Sequence, residues 1–115
     1  MTAKEKLLQI YKNLLMDELW WGHLRRGMWR KGKHSGNDAD CRRVSDLEMH
    51  CCKTAQGIAD VLKHFKDGES LLRKEAESVY ERFAREQGYN TWREFIMADR
   101  AEMVVDANGM VVKYG

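Results

Sequence analysis

Apolar residues recur at helical spacing through the first two-thirds of the chain, and this pattern predicts long helices. The first helix covers about residues 3–30, and Thr2 with Glu5 has the spacing of a capping box at its start. Its wide apolar face consists of Leu7, Leu8, Ile10, Tyr11, Leu14, Leu15, Leu19, Trp21 and Leu24. Because glycine weakens a helix interior, we expect the helix to fray or bend at Gly22 and Gly27.

The second helix is predicted over residues 39–66, and its apolar positions alternate in steps of three and four. These positions are Val44, Leu47, Cys51, Thr54, Ile58, Val61 and Phe65. Three heptads of this spacing are typical of a coiled-coil seam and favour a homodimer through this helix. Two residues have the chemistry to begin it: Asn37, or Ser45 paired with Glu48 in a capping box.

Two further helices complete the helical part of the pattern. The third, over residues 70–87, carries Leu72, Ala76, Val79, Tyr80 and Phe83 on one side. Gly88 follows it and suits a left-handed helix stop. Thr91 and Glu94 then form another capping box that opens a short fourth helix over residues 92–100. The chain is therefore predicted to be all-α, a small helical bundle with three main helices and a short fourth, in a single domain over residues 1–115.

The pattern changes after the fourth helix, where β-branched residues flank an Asn-Gly pair. Val104 and Val105 precede Asn108-Gly109, and Val111 and Val112 follow it, which predicts a C-terminal β-hairpin over residues 103–113. An isolated hairpin is marginal in water. We therefore expect it either to lie on its own bundle or to offer its edge to a second copy as a dimer contact.

Composition narrows the class of protein. The 115 residues are 33% charged and 43% hydrophobic, without an apolar run long enough to cross a membrane. The chain starts without the apolar core of a signal peptide. Its three cysteines do not suit a disulfide framework and are interpreted as free thiols. These features predict an intracellular, cytoplasmic protein with no membrane partner.

Recognisable catalytic and cofactor signatures are missing from the sequence. It contains neither a glycine-rich phosphate loop nor a nucleophile elbow, nor a pair of C-x-x-C motifs. Cysteines and histidines cluster around the second helix, but adjacent Cys51 and Cys52 point about 100° apart on a helix, which argues against zinc. We therefore predict a non-enzymatic protein that carries no metal and no cofactor.

Two acid–histidine pairs at i,i+4 spacing form the basis of an enzymatic alternative. Asp46 with His50 and Asp60 with His64 lie on one stripe of the second helix. The pairs are separated by 14 residues, or about 21 Å, so they cannot share one centre. Ordinary exposed helix pairs explain them equally well, and we prefer that interpretation.

Basic charge is concentrated in one segment of the chain. Between His23 and Arg43 there are seven lysines and arginines but only two aspartates, a local charge of +5 in a chain whose net charge is +2. Together with a tryptophan, these residues form a candidate binding surface: Arg25, Arg26, Trp29, Arg30, Lys31, Lys33, Arg42 and Arg43. A focused basic surface predicts an anionic partner.

A membrane interpretation, with Trp20, Trp21, Trp29 and the arginines in a headgroup interface, is disfavoured because the apolar face of the first helix is better explained as core in so small a domain. Three other interpretations of this surface remain open. Tryptophan and arginine are enriched at the centres of protein interfaces. The same residues can also neutralise phosphates and stack on bases. In the third interpretation, Trp20 and Trp21 fill the core and arginine stems cover them.

We favour a small binding protein that acts by protein contact as an adaptor, regulator or inhibitor. Small phage and mobile-element proteins that block a host complex share this profile of size and composition. A nucleic-acid-binding regulator is the alternative.

Overall fold

Four α-helices form a bundle, as the apolar pattern predicts. A computed structural model describes residues 1–99 with their side chains, and residues 100, 103–105 and 111–114 as backbone. The helices are α1 (Ala3–Arg30), α2 (Ala39–Leu62), α3 (Gly68–Glu86) and α4 (Trp92–Arg100). Their bounds lie within four residues of the predicted ones, and the largest difference is the earlier end of α2.

Two short strands follow α4 and pair with each other. They are β1 (Met103–Val105) and β2 (Val111–Tyr114), which run antiparallel with Met103 opposite Tyr114. Strand β2 also contacts α1. The predicted turn between the strands falls in residues 106–110, which lie outside the described part of the chain. The hairpin over residues 103–113 therefore stays a prediction.

Side-chain caps fix the starts of the first two helices. The Thr2 hydroxyl accepts a hydrogen bond from the Glu5 backbone N–H at 3.1 Å, as the capping box predicts. Helix α2 begins after Asp38, whose carboxylate accepts from the Cys41 N–H at 2.9 Å. Neither Asn37 nor Ser45 is therefore the cap of α2. The Asn37 side chain instead accepts from the backbone N–H of His34 within the preceding loop.

Helices α1 and α2 form an antiparallel pair that runs nearly their full length. Lys4 near the start of α1 donates to the carbonyl of Lys66, just beyond the end of α2, while Arg25 meets Glu48. Gly22 is buried at this contact, and a Cβ there would collide with the Glu48 side chain. Helix α1 is continuous through Gly22 and Gly27, so the expected fraying does not occur. Gly22 leaves room beside α1 for the carboxylate of Glu48.

The core lies in two clusters arranged along α1. The first joins three helices through Leu15, Ala55 and Val79. The second joins α3 to α4 through Phe83, Ala84 and Phe95. Met16 and Leu19 pack against both clusters, so α1 is the element that the other helices share.

The predicted seam of α2 is divided between the core and the surface. Val44 and Cys51 are buried, but Leu47 and Val61 expose 42% and 50% of their surface. The buried face of α2 also includes residues outside the predicted seam, namely Cys41, Ala55 and Leu62. The apolar face of α2 is therefore wider than α1 and α3 can cover.

Candidate functional site

Two arginines of the predicted binding surface point inward and meet a buried carboxylate. Arg26 donates from Nε to one oxygen of Asp99, and Arg30 donates from Nη2 to the other at 2.9 Å. The Asp99 side chain is only 3% exposed. Arg26 and Arg30 therefore fasten α4 onto the C-terminal half of α1.

The two guanidinium groups determine the protonation state of Asp99. Burial by itself would raise the pKa of this carboxyl group. The hydrogen bond from Arg30 and the positive charges of Arg26 and Arg30 outweigh burial, so the pKa of Asp99 lies below its ordinary value. Asp99 is therefore ionised at neutral pH, and the cluster of three groups carries a net charge of +1.

A cavity of about 310 Å³ opens beside this cluster. His23, Gln87, Tyr89 and Phe95 line it together with Arg30 and Asp99. The Nδ1 atom of His23 lies 3.6 Å from the Asp99 carboxylate, which is longer than a hydrogen bond. The His23 ring also packs against Phe95, with ring centroids 5.6 Å apart. The geometry is that of a packed histidine near a structural carboxylate rather than a formed acid–base pair.

The third inward arginine, Arg25, is bound on two sides. Its Nε donates to Glu48 of α2 at 2.6 Å, and its guanidinium carbon lies 4.7 Å from the centroid of the Trp29 ring. Trp29 also stacks on His34, with centroids 5.3 Å apart and planes inclined by 23°. The Trp29 ring, which the nucleic-acid interpretation would stack on a base, therefore already contacts Arg25 and His34 within the protein.

The other predicted binding residues lie on the surface around the α1–α2 connection. Lys31, Lys33, Arg42 and Arg43 are all exposed. Arg42 donates to the carbonyl of Ser35 at 3.2 Å, and Arg43 lies 3.6 Å from Asp40 in an open surface pair. Surface pairs of this kind contribute little to stability and leave the cations open to solvent. The eight predicted residues thus separate into four half-buried ones that bind within the protein and four exposed ones.

An apolar groove on the outer face of α1 was not foreseen from the sequence. Trp20 and Leu24, predicted to lie in the core, expose 46% and 47% of their surface. With Trp21, which is half buried, they line a groove of about 390 Å³. A second groove of about 270 Å³ shares Leu24 and continues to Lys31 and Lys33. We call this continuous surface the α1 groove, and it is apolar at one end and basic at the other.

The cysteines occupy the interior side of α2. Cys41 and Cys51 are buried, and Cys52 is half-buried near Glu18. Burial raises the pKa of both Cys51 and Cys52, and burial likewise raises the pKa of Glu18. The two thiols are therefore protonated at neutral pH and are poor nucleophiles.

The two acid–histidine pairs lie on the open surface of α2 and of the turn that follows it. His50 and His64 are exposed, and Asp60 pairs with Lys63 at 3.5 Å. Among the described residues, no group of three or more His, Cys, Asp or Glu side chains is placed to share a metal ion. Asp60 therefore pairs with Lys63 rather than with His64.

Comparison with known proteins gives no guide to this chain: no family model, curated protein or solved structure matches it. The four helices of the described part also lack any span with the length and apolar composition needed to cross a membrane. The function must therefore be inferred from the surfaces themselves.

Proposed function

We propose that this is a non-enzymatic binding protein that acts by contact with another protein through the α1 groove. The observation that carries the proposal is the exposure of Trp20 and Leu24, both near one-half, on adjacent turns of one helix face. Large apolar side chains grouped in a groove are typical of protein-binding sites. Such a surface suits an adaptor, regulator or inhibitor.

The groove also indicates the chemistry of the partner. Leu24 and Lys31 are seven residues apart, or about 10 Å along the helix axis. We expect the partner to present an apolar side chain that packs against Trp20 and Leu24. About 10 Å away, the partner also presents an acidic side chain that pairs with Lys31 or Lys33. An acidic amphipathic helix has this arrangement.

Replacing Leu24 with Asp is expected to abolish capture of the partner. The substitution places a carboxylate in the apolar end of the groove, where truncation of an anchor residue costs about 2 kcal/mol or more of binding energy. The measurement is a pull-down from native lysate with tagged wild-type and variant chains, each with and without nuclease. A band that is nuclease-resistant and lost only in the variant supports the proposal.

The matched control for this pull-down is Met49→Asp. Met49 is an exposed apolar residue of α2, 54% accessible, and does not line the α1 groove. If both variants lose the same band, or if both retain it, the α1 groove is not the binding surface.

Nucleic-acid binding is a second candidate, supported by the four exposed cations around the α1–α2 connection. Four phosphate contacts give a slope of log affinity against log salt of about −3 to −4 for duplex DNA. Replacing Arg42 and Arg43 with Ala is expected to reduce that slope by about two. The measurement is a fluorescence titration of duplex and single-stranded oligonucleotides at several salt concentrations. Absence of binding at low salt would eliminate this candidate.

Two sequence predictions remain proposals about the whole chain. One is the C-terminal hairpin, and the contact of β2 with α1 supports the arrangement in which it lies on its own bundle. The other is the intracellular, cytoplasmic location. Neither affects the argument for the α1 groove.

A further inference from the structure

A cavity with polar and aromatic walls lies between α1, α4 and the corner that joins α3 to α4. We call it the α4 cavity, and it has a volume of about 310 Å³. Its lining includes His23 and Arg30 of α1, Gln87 and Tyr89 of the corner, and Phe95 and Asp99 of α4. A water molecule takes up about 30 Å³ in the liquid, so the cavity has room for about ten non-hydrogen atoms. This is the size of one small organic molecule and not of a peptide.

We propose that the α4 cavity binds a small planar monocarboxylate. The carboxylate group of this ligand lies against Arg30, Gln87 and Tyr89, and its apolar body packs beside Phe95. The proposal does not rest on the proposed function, because Gln87, Tyr89 and Phe95 do not line the α1 groove.

Polar groups on the cavity wall are not paired by the protein itself. Within residues 1–99, the half-buried side chains of Gln87 and Tyr89 make no hydrogen bond. The Nδ1 atom of His23 is buried and also has no hydrogen-bond partner there. Buried polar atoms of native proteins are nearly always paired, and an exception commonly marks a place where a water, an ion or a ligand binds. The Gln87 carboxamide and the Tyr89 hydroxyl can each donate to a carboxylate oxygen.

The charges at the cavity wall favour an anion. Arg26 and Arg30 face the single carboxylate of Asp99, so two positive charges and one negative charge leave a net charge of +1 among the three groups. Asp99 is buried, whereas Arg30 is partly exposed, so a ligand in the cavity meets the guanidinium side chain first. The exposed charges next to Gln87 and Phe95 in the chain, at positions 85–86 and 93–94, cancel. Guanidinium groups bind carboxylates through short, strong hydrogen bonds.

Aromatic rings form another part of the cavity wall and favour a planar ligand. The Phe95 ring has the Tyr89 ring 5.7 Å away on one side and the His23 ring 5.6 Å away on another, measured between centroids. The planes of these neighbours are inclined to Phe95 by 69° and 59°. The three rings therefore form a corner rather than a closed stack, and a planar group packs into such a corner by edge-to-face contact.

Nuclear magnetic resonance of the ¹⁵N-labelled full chain tests the proposal, with sodium benzoate as the probe. Benzoate has a planar ring, one carboxylate and the size that the cavity allows. About ten atoms at the binding efficiency of small ligands give an expected dissociation constant on the order of 1 mM. A titration at constant ionic strength should give saturable shifts of the Gln87 side-chain amide and of the backbone amides at positions 87–89 and 95–99.

Two comparison probes separate the charge of the ligand from its ring. Benzamide has the shape of benzoate without its charge, and acetate has the charge without the ring. Each should bind about tenfold more weakly than benzoate, because benzamide loses the charge-assisted hydrogen bonds and acetate loses the contact with the aromatic rings.

Two conservative variants test the polar wall. Tyr89→Phe removes only a hydroxyl group, and Gln87→Leu replaces the carboxamide by an apolar group of similar volume. Each should raise the dissociation constant for benzoate about tenfold, which is the effect of one hydrogen bond to a charged group. Tyr80→Phe is the matched control and should leave this constant unchanged, because Tyr80 is a half-buried tyrosine that stacks on Trp92 and does not line the cavity. Circular dichroism of every variant confirms that the helices are retained.

Three results would each overturn the proposal. The first is benzoate binding that does not saturate, or that shifts only the amides near Lys31 and Lys33 in the α1 groove. The second is benzamide binding as tightly as benzoate. The third is an unchanged dissociation constant for benzoate in both Tyr89→Phe and Gln87→Leu.

Discussion

Replacing Asp99 with Ala is expected to lower the free energy of unfolding by about 3 kcal/mol, because it leaves two inward-pointing guanidinium groups without their carboxylate. Asp99 is 6% exposed, and the side chains of Arg26 and Arg30 are 19% and 24% exposed. Partial solvation of the arginines limits the loss to the lower part of the range for buried ion pairs. The contact that fails is the one between α4 and α1.

Urea denaturation followed by circular dichroism measures this loss. Asp99→Asn retains the shape of the side chain and removes its charge, so it separates electrostatics from packing. The control is Asp60→Ala, which removes an exposed carboxylate 3.5 Å from Lys63 and is expected to change stability by less than about 0.5 kcal/mol. If Asp99→Ala lowers the free energy of unfolding no more than Asp60→Ala does, the cluster of Asp99 with Arg26 and Arg30 does not stabilise the fold.

The contribution of the Asp99 carboxylate to the free energy of unfolding depends on pH. The folded pKa of Asp99 lies below its ordinary value because Arg30 and Arg26 outweigh the effect of burial. Ionised Asp99 therefore stabilises the folded protein fully at pH values above the pKa of Asp99 in the unfolded chain, which is near 4. This stabilisation is lost as the pH falls through the lower pKa of Asp99 in the folded protein. The stability difference between wild type and Asp99→Asn should be constant near neutral pH and should shrink in acid.

Sequence patterns predicted the helices, but they did not predict that Arg25, Arg26 and Arg30 bind carboxylates within the protein. Charge concentration is local in sequence, whereas the carboxylates that bind Arg26 and Arg25 lie 73 and 23 residues away. One signal was present in the sequence: Asp99 follows Phe95 by four residues, so both lie on the same face of α4. An acidic residue on the face that carries a core phenylalanine predicts a buried partner of opposite charge.

The divided seam of α2 shows a second limit of sequence patterns. Periodicity shows that a helix has an apolar face, but it does not show how much of that face a neighbour covers. Here the side of α2 that carries Cys41, Ala55 and Leu62 becomes core where α1 packs against the helix, with Arg25 of α1 bound to Glu48. Leu47 and Val61 remain exposed because they lie beyond the edge of that contact. Trp20 is exposed for the related reason that it lies on the side of α1 away from α2.

Replacing Gly68 with Ala is expected to destabilise the protein by about 3 kcal/mol, since it forces the backbone apart at the α2–α3 corner. A Cβ at Gly68 would collide with the carbonyl oxygen of Leu62 and would lie 2.9 Å from its carbonyl carbon. These are backbone atoms at the end of a helix, and they cannot move aside as a flexible side chain can. Asp67 before it already has a left-handed φ of 60°, so the turn has little freedom to adjust.

Thermal and urea unfolding of Gly68→Ala, Gly27→Ala and Asp67→Gly distinguish this clash from the ordinary effect of glycine on helix propensity. Gly27→Ala lies within α1 with nothing inside 4 Å of its Cβ position, and should stabilise the protein by about 0.5–1 kcal/mol. Asp67→Gly should also stabilise it, by relieving the left-handed residue next to Gly68. The free energy of unfolding is expected to fall in Gly68→Ala and to rise in Gly27→Ala. If Gly68→Ala were neutral, the close approach of Leu62 and Gly68 would not exist in solution, and α3 would meet α2 at a different corner.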